Sequence, residues 1–259
     1  MQLKRDNVMN KVSSDITHRN RWPHSKLAVK QSGFTLIEIA IVLVIIGLLL
    51  GGVLKGQELI NTARVRALNN TVDGITAAWF SFQDRYRSYP GDYTQASINL
   101  PGTPADGNGN GQVGIGASGA DSPTERANVW VHLQAAGYIT GSYNAANVIV
   151  DEYGCSLQTC PDNGFGVGMN LSFGEQVRGN PGVDAHELIT GRGIPVEVLA
   201  ELDRKIDDGE PETGAMQLGA GGTGWVAADS TACQRDNAGT SIYEIQAPSA
   251  NCAAVFRNF

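Results

Sequence analysis

Charge is scarce in this chain. Asp, Glu, Lys and Arg make up 17% of its 259 residues, against 42% hydrophobic residues, so it is no self-repelling disordered polymer. Basic residues are scarcest where nucleic acid would need them. Residues 34–259 hold 12 Lys and Arg against 24 Asp and Glu, a balance of −12. An acidic body of that kind excludes direct binding to a phosphate backbone. Catalytic signatures are absent too. There is no GxSxG elbow, HExxH helix or phosphate-binding loop, so the chain does not read as an enzyme. The four cysteines make no CxxC pair, and His132 and His186 fall in no ligand spacing, which removes the usual zinc frameworks. Proline is missing between Pro23 and Pro90, and nothing else in that stretch compels a helix to break.

What is present is one concentrated apolar run. Phe34 to Leu54 reads FTLIEIAIVLVIIGLLLGGVL, 21 residues in which Glu38 is the only ionisable side chain. That length crosses a bilayer as a helix. Residues 1–33 carry seven Lys and Arg against Asp6 and Asp15, which places the N-terminus in the cytoplasm and the body outside. A secretory signal would show a shorter apolar core and a small-residue cleavage site beyond it, and Gly51-Gly52-Val53 is a weak one. Glu38 is the anomaly. A carboxylate four residues into a membrane helix is costly unless protonated or paired, and so marks function.

The residues around it, Lys30-Gln31-Ser32-Gly33-Phe34-Thr35-Leu36-Ile37-Glu38, resemble the cleavage and methylation signature of type IV prepilins and pseudopilins. The resemblance implies cutting between Gly33 and Phe34 by a membrane prepilin peptidase, followed by N-methylation of Phe34. It also implies that Glu38 of one subunit meets the Phe34 ammonium of a neighbour in a filament. The physics agrees, since two charges that are each costly in hydrocarbon neutralise one another only when subunits stack in register. The implied partners are the peptidase and methyltransferase, other pilin subunits, membrane lipid, and an inner-membrane assembly platform with its ATPase. A 33-residue leader is long for the family, and Met9 is an alternative start.

Beyond the membrane run, Val65, Leu68, Val72, Ile75, Trp79, Phe82 and Tyr86 are spaced alternately three and four apart, one face of an amphipathic helix. The helix is expected to run from Phe34 to about Arg87, its second half packing on a head, with Trp79, Phe82 and Tyr86 in the core. Gly47, Gly51, Gly52 and Gly56 weaken it, by up to ~1 kcal/mol each. Tyr89-Pro90-Gly91-Asp92-Tyr93 breaks it. Helices are expected over Glu125–Ala136, closed by Gly137, and over Pro195–Ile206, closed by Gly209. Tyr138–Ile139, Val148–Val150, Phe165–Met169 and Trp225–Val226 read as short strands. The expected class is α+β and pilin-like, a long N-terminal helix packed on a small antiparallel-sheet head with long loops. The expected divisions are a basic leader (1–33), a membrane half-helix (34–54), an amphipathic half-helix (55–88) and an exported head (89–259).

Cys155, Cys160, Cys233 and Cys252 lie in the exported part and should be oxidised. Of three pairings, Cys155–Cys160 with Cys233–Cys252 is the expected one, and the resemblance supports it, since pilins often staple their C-terminal region. Asp106-Gly107-Asn108-Gly109-Asn110-Gly111 matches the opening of a calcium loop. Ala117 stands where the closing carboxylate belongs, and Glu125 could replace it only if the loop folds back. The readings are calcium at Asp106, Asn108 and Asn110, or a Gly/Asn turn; no cofactor is required. In Leu202–Pro211, Asp207 and Asp208 beside Gly209 read as a turn with a cap, or as a metal site. The function expected is a structural subunit of a type IV pilus-like filament. The alternatives are a type II secretion pseudopilin and a membrane-anchored exported binding domain.

Overall fold

The computed structural model describes residues 33–102, 104–115, 117–120, 122–145, 156–174, 177, 184–220, 232–257 and 259. Residues 1–32 of the expected leader, Cys155 and the expected strands at 148–150 and 225–226 lie outside them. The chain divides into two compact units, Met1–Leu50 and Gly51–Phe259.

In the first unit the described residues are a short non-helical lead-in and the start of helix α1 (Leu36–Tyr86), which is long and apolar enough to cross a membrane. Its most apolar window has no buried residue.

In the second unit α1 changes character as the sequence does. Val65, Leu68, Val72, Ile75, Trp79 and Phe82, the stripe at alternating three- and four-residue spacing, are buried, and Tyr86 is partly buried. The helix ends at Tyr86, before the Pro90 turn. Arg87 adopts the left-handed conformation (φ 54°) and donates its N–H to the Gln83 carbonyl at 2.9 Å, closing the last turn. Around this face pack α2 (Ala96–Asn99), α3 (Pro123–Ala135) and α4 (Val196–Ile206), with a sheet of β1 (Asn170–Gly174), β2 (Ala185–Ile189), β3 (Met216–Leu218) and β6 (Ala254–Phe256). Its order is β1-β2-β6-β3, every pairing antiparallel, with Leu171 opposite Leu188 and Met216 opposite Phe256. A separate hairpin pairs β4 (Gln234–Asn237) with β5 (Thr240–Tyr243). Its two-residue loop, Ala238-Gly239, has positive φ at both positions, as a right-twisted hairpin requires. Trp79, Phe82, Trp130, Leu133, Leu171, Leu188, Leu199 and Leu202 join helices and sheet in one core. The architecture is the expected α+β, pilin-like layout.

Two expected strands are not strands. Tyr138 and Ile139 belong to the end of α3, where Gly137 (φ 79°) lets the chain reverse. There the Gly137 N–H bonds to the Gln134 carbonyl (2.9 Å) and the Tyr138 N–H to the Leu133 carbonyl (3.0 Å), a Schellman closure that uses the amides a strand would need. In Phe165–Met169 neighbouring side chains take the backbone. Asn163 Oδ1 accepts from Phe165 (2.8 Å) and Val167 (3.3 Å) and Asp162 Oδ1 from Gly164 (2.9 Å) and Gly166 (3.1 Å), so the segment makes one isolated antiparallel bridge, Asp162 with Gly168, and the strand itself begins at Asn170.

Candidate processing and assembly site

Gly33, Phe34 and Thr35 form the lead-in to α1. The Phe34 side chain is 82% exposed, and a Cβ built at Gly33 meets no atom within 4 Å, so the described fold places no steric demand for glycine there. Thr35 and Glu38 then start the helix together. Glu38 Oε2 accepts the Thr35 N–H at 2.7 Å and the Thr35 hydroxyl at 2.8 Å, while Thr35 Oγ1 accepts the Glu38 N–H at 3.3 Å. This is a capping box, T-x-x-E, which satisfies two of the amide donors a helix start otherwise leaves open. Its carboxylate also sits at the positive end of the helix dipole. The box was legible as Thr35-Leu36-Ile37-Glu38, yet reading Glu38 only as a misplaced charge passes over it. The geometry gives that charge a place before any partner arrives.

After the box comes an unbroken apolar surface. Leu36, Leu43, Leu48, Leu49 and Leu54 are all more than 60% exposed, as a lipid- or subunit-facing helix must be.

In the second unit, the structure sorts the remaining candidates. Cys233 and Cys252 form a disulfide with Cα atoms 5.9 Å apart, and Cys160 is disulfide-bonded as well. Cys233 directly precedes β4 and Cys252 lies just before β6, so their bond ties the hairpin to the main sheet.

The Asp106–Gly111 loop folds around carboxylates. Buried Asp92, which the sequence offered only as part of a helix breaker, accepts the N–H groups of Gly109 (2.6 Å), Asn110 (3.1 Å) and Gly111 (2.8 Å). Gly107 is required here, since a Cβ on it would lie 2.2 Å from the Asp92 carbonyl carbon. Asn108 and Asn110 are brought together, both donating to the Ile115 carbonyl at 2.8 and 2.7 Å. Asp106 is turned onto Ser97, accepting its N–H at 2.7 Å and its hydroxyl at 3.0 Å. The loop does fold back on Glu125, which accepts from Gly114 at 2.9 Å and Asn108 at 3.4 Å. Burial raises the Glu125 pKa, Asp92 adds to the rise, and the donated amides oppose it.

His132 and His186 both serve as hydrogen-bond acceptors for backbone amides. His132 Nδ1 accepts the Gly91 N–H at 2.9 Å, so Nε2 carries the proton toward the Ala105 carbonyl at 2.8 Å. His186 Nε2 accepts the Val113 N–H at 3.3 Å among the rings of Trp79, Tyr89 and Phe173, and burial pushes its pKa down to about 4. At the end of α4, Asp203, Asp207 and Asp208 gather, and burial, then repulsion from Asp208 and Asp207, drives Asp203 up to about 6 against the Tyr243 hydroxyl and the Gly209 amide.

Residues 29–54 match a family model described as the prokaryotic N-terminal methylation motif, the type IV prepilin signature. No curated protein and no solved structure matches the chain. The motif indicates a type IV pilin-like or pseudopilin-like protein. It implies processing by a prepilin peptidase and assembly with other pilin subunits, and with the apolar helix it fits a membrane anchor.

Proposed function

We propose that this chain is a structural subunit of a type IV pilus-like filament, made as a precursor, cleaved after Gly33, N-methylated at Phe34 and polymerised through α1. The observation that carries the reading is the Thr35–Glu38 box at the head of a helix whose apolar start is wholly unburied. Both capping bonds go to Glu38 Oε2, and Oε1 is left for a positive group from outside the chain. The new Phe34 ammonium of a neighbouring subunit is such a group, and burying the pair in hydrocarbon makes register obligatory. Glycine at position 33, which nothing nearby requires, serves the peptidase. An assembly platform and its ATPase supply the force. Four cysteines in the exported body favour a pilus pilin over a compact secretion pseudopilin.

The mature N-terminus, determined by mass spectrometry on protein from its native membrane, tests the reading. N-methylated Phe34 is expected, and a Gly33→Ala variant should keep its leader. Cleavage beyond Leu54, or normal maturation of that variant, would overturn it. Glu38→Ala should mature but enter filaments at a small fraction of the wild-type level; incorporation at the wild-type level would remove the pairing argument.

A further inference from the structure

The carboxylates of Asp203, Asp207 and Asp208 each present an oxygen, and these lie within 4.8 Å of one another where α4 turns toward β3. Two of the three are held in place from behind. Asp207 Oδ2 accepts the Met216 N–H at 2.8 Å, and Asp208 accepts the Glu210 N–H at 2.9 Å and the Thr213 hydroxyl at 2.5 Å. Asp203 is different. Its side chain is fully buried, Oδ2 accepts the Tyr243 hydroxyl at 2.8 Å and the Gly209 amide lies near the carboxylate, but Oδ1 is buried and makes no hydrogen bond. Among the described residues no basic side chain forms an ion pair with any of the three, and nearby Lys205 is turned to Glu201 at 2.6 Å.

A buried carboxylate oxygen without a donor, beside two further carboxylates, is unfavourable unless positive charge is supplied. The negative end of α4 adds to the demand. The chemistry of the donors is all hard oxygen, which selects calcium or magnesium over softer metals. Oxygens up to 4.8 Å apart fit calcium, whose opposite ligands stand up to about 5 Å apart in a flexible shell, whereas magnesium demands a tighter, near-ideal octahedron.

We propose that Asp203, Asp207 and Asp208 bind a calcium ion in the exported head. The ion ties the end of α4 to the turn that enters β3 and, through Tyr243, to the β4–β5 hairpin. This site is separate from the Asp106–Gly111 loop and independent of how the N-terminus is processed.

The test uses the full-length chain in detergent micelles, stripped with EGTA. Calcium chloride at about ten times its dissociation constant should raise the thermal midpoint by roughly 3–5 °C. Terbium should luminesce on tyrosine excitation, because the Tyr243 hydroxyl touches a ligand, and calcium should compete that signal away. Asp203→Asn, and Asp208→Asn at the exposed edge where folding is not at stake, should each weaken calcium binding at least tenfold. Asp106→Asn should leave it unchanged. No calcium response in the wild type, an unaltered response in both site variants, or a response lost only in Asp106→Asn would each overturn the proposal.

Discussion

His186 shows how one buried side chain sets the acid stability of the second unit. Its imidazole is 5% exposed, enclosed by three aromatic rings, and must be neutral for Nε2 to accept the Val113 N–H. Burial lowers its pKa from 6.5 to about 4. Above pH 6.5 both states are neutral at this site and its contribution is complete. As pH falls from 6.5 toward 4 the unfolded chain takes up the proton and the folded one does not, so stability falls across that window. The loss is at most about 3 kcal/mol, levelling below pH 4. His132, also lowered by burial, adds to the slope. Denaturant titrations at pH 7 and 4.5 should show the loss, and His186→Gln, which keeps an acceptor without a titrating ring, should flatten it by His186's share. The same pH dependence in that variant would show that the proton goes elsewhere. Residue identity did not reveal this, because a histidine in sequence carries no mark of the rings around it.

At the scale of elements, local chemistry decides where each one stops. The periodicity of α1 was plain from the sequence, since the three-four spacing survives any tertiary arrangement. Its end near Arg87 was legible too, and what the sequence did not show was the device: the helix closes at Tyr86 by placing Arg87 in the left-handed region, where a side chain is strained. Arg87→Gly should therefore raise stability by about 1 kcal/mol. The 3.3 Å Arg87–Asp84 pair it removes is 81% exposed on both sides and contributes little. An unchanged or lower denaturation midpoint would mean the strain is relieved in some other way. The short strands were hard to read for a different reason. Segments such as Met216–Leu218 and Ala254–Phe256 are too brief to show alternation, and their three residues are all buried. Conversely, Phe165–Met169 has strand composition, but Asp162 and Asn163 capture its amides first.

For the molecule, the Cys233–Cys252 bond closes a separation of 19 residues and joins the hairpin to the sheet. Constraining a loop of that size in the unfolded chain is worth about 3 kcal/mol. Cys233→Ser with Cys252→Ser should cost about that much in equilibrium unfolding, with the α1 core otherwise retained. A negligible change would mean that the hairpin docks without its staple.

The front end of the protein was determined by sequence alone. A cleavage signature, a capping box and a membrane run are contiguous strings, and helix geometry translates contiguous spacing directly into position. The α+β class followed for a similar reason, from one long periodic helix and many breakers. Tertiary structure alone decided the head's chemistry. Asp92 became the centre of the Asn-Gly loop and Asp203 became a buried carboxylate beside Tyr243, 40 residues away. Those outcomes depend on burial and on which donors reach an oxygen, and both are properties of distant segments brought together by packing.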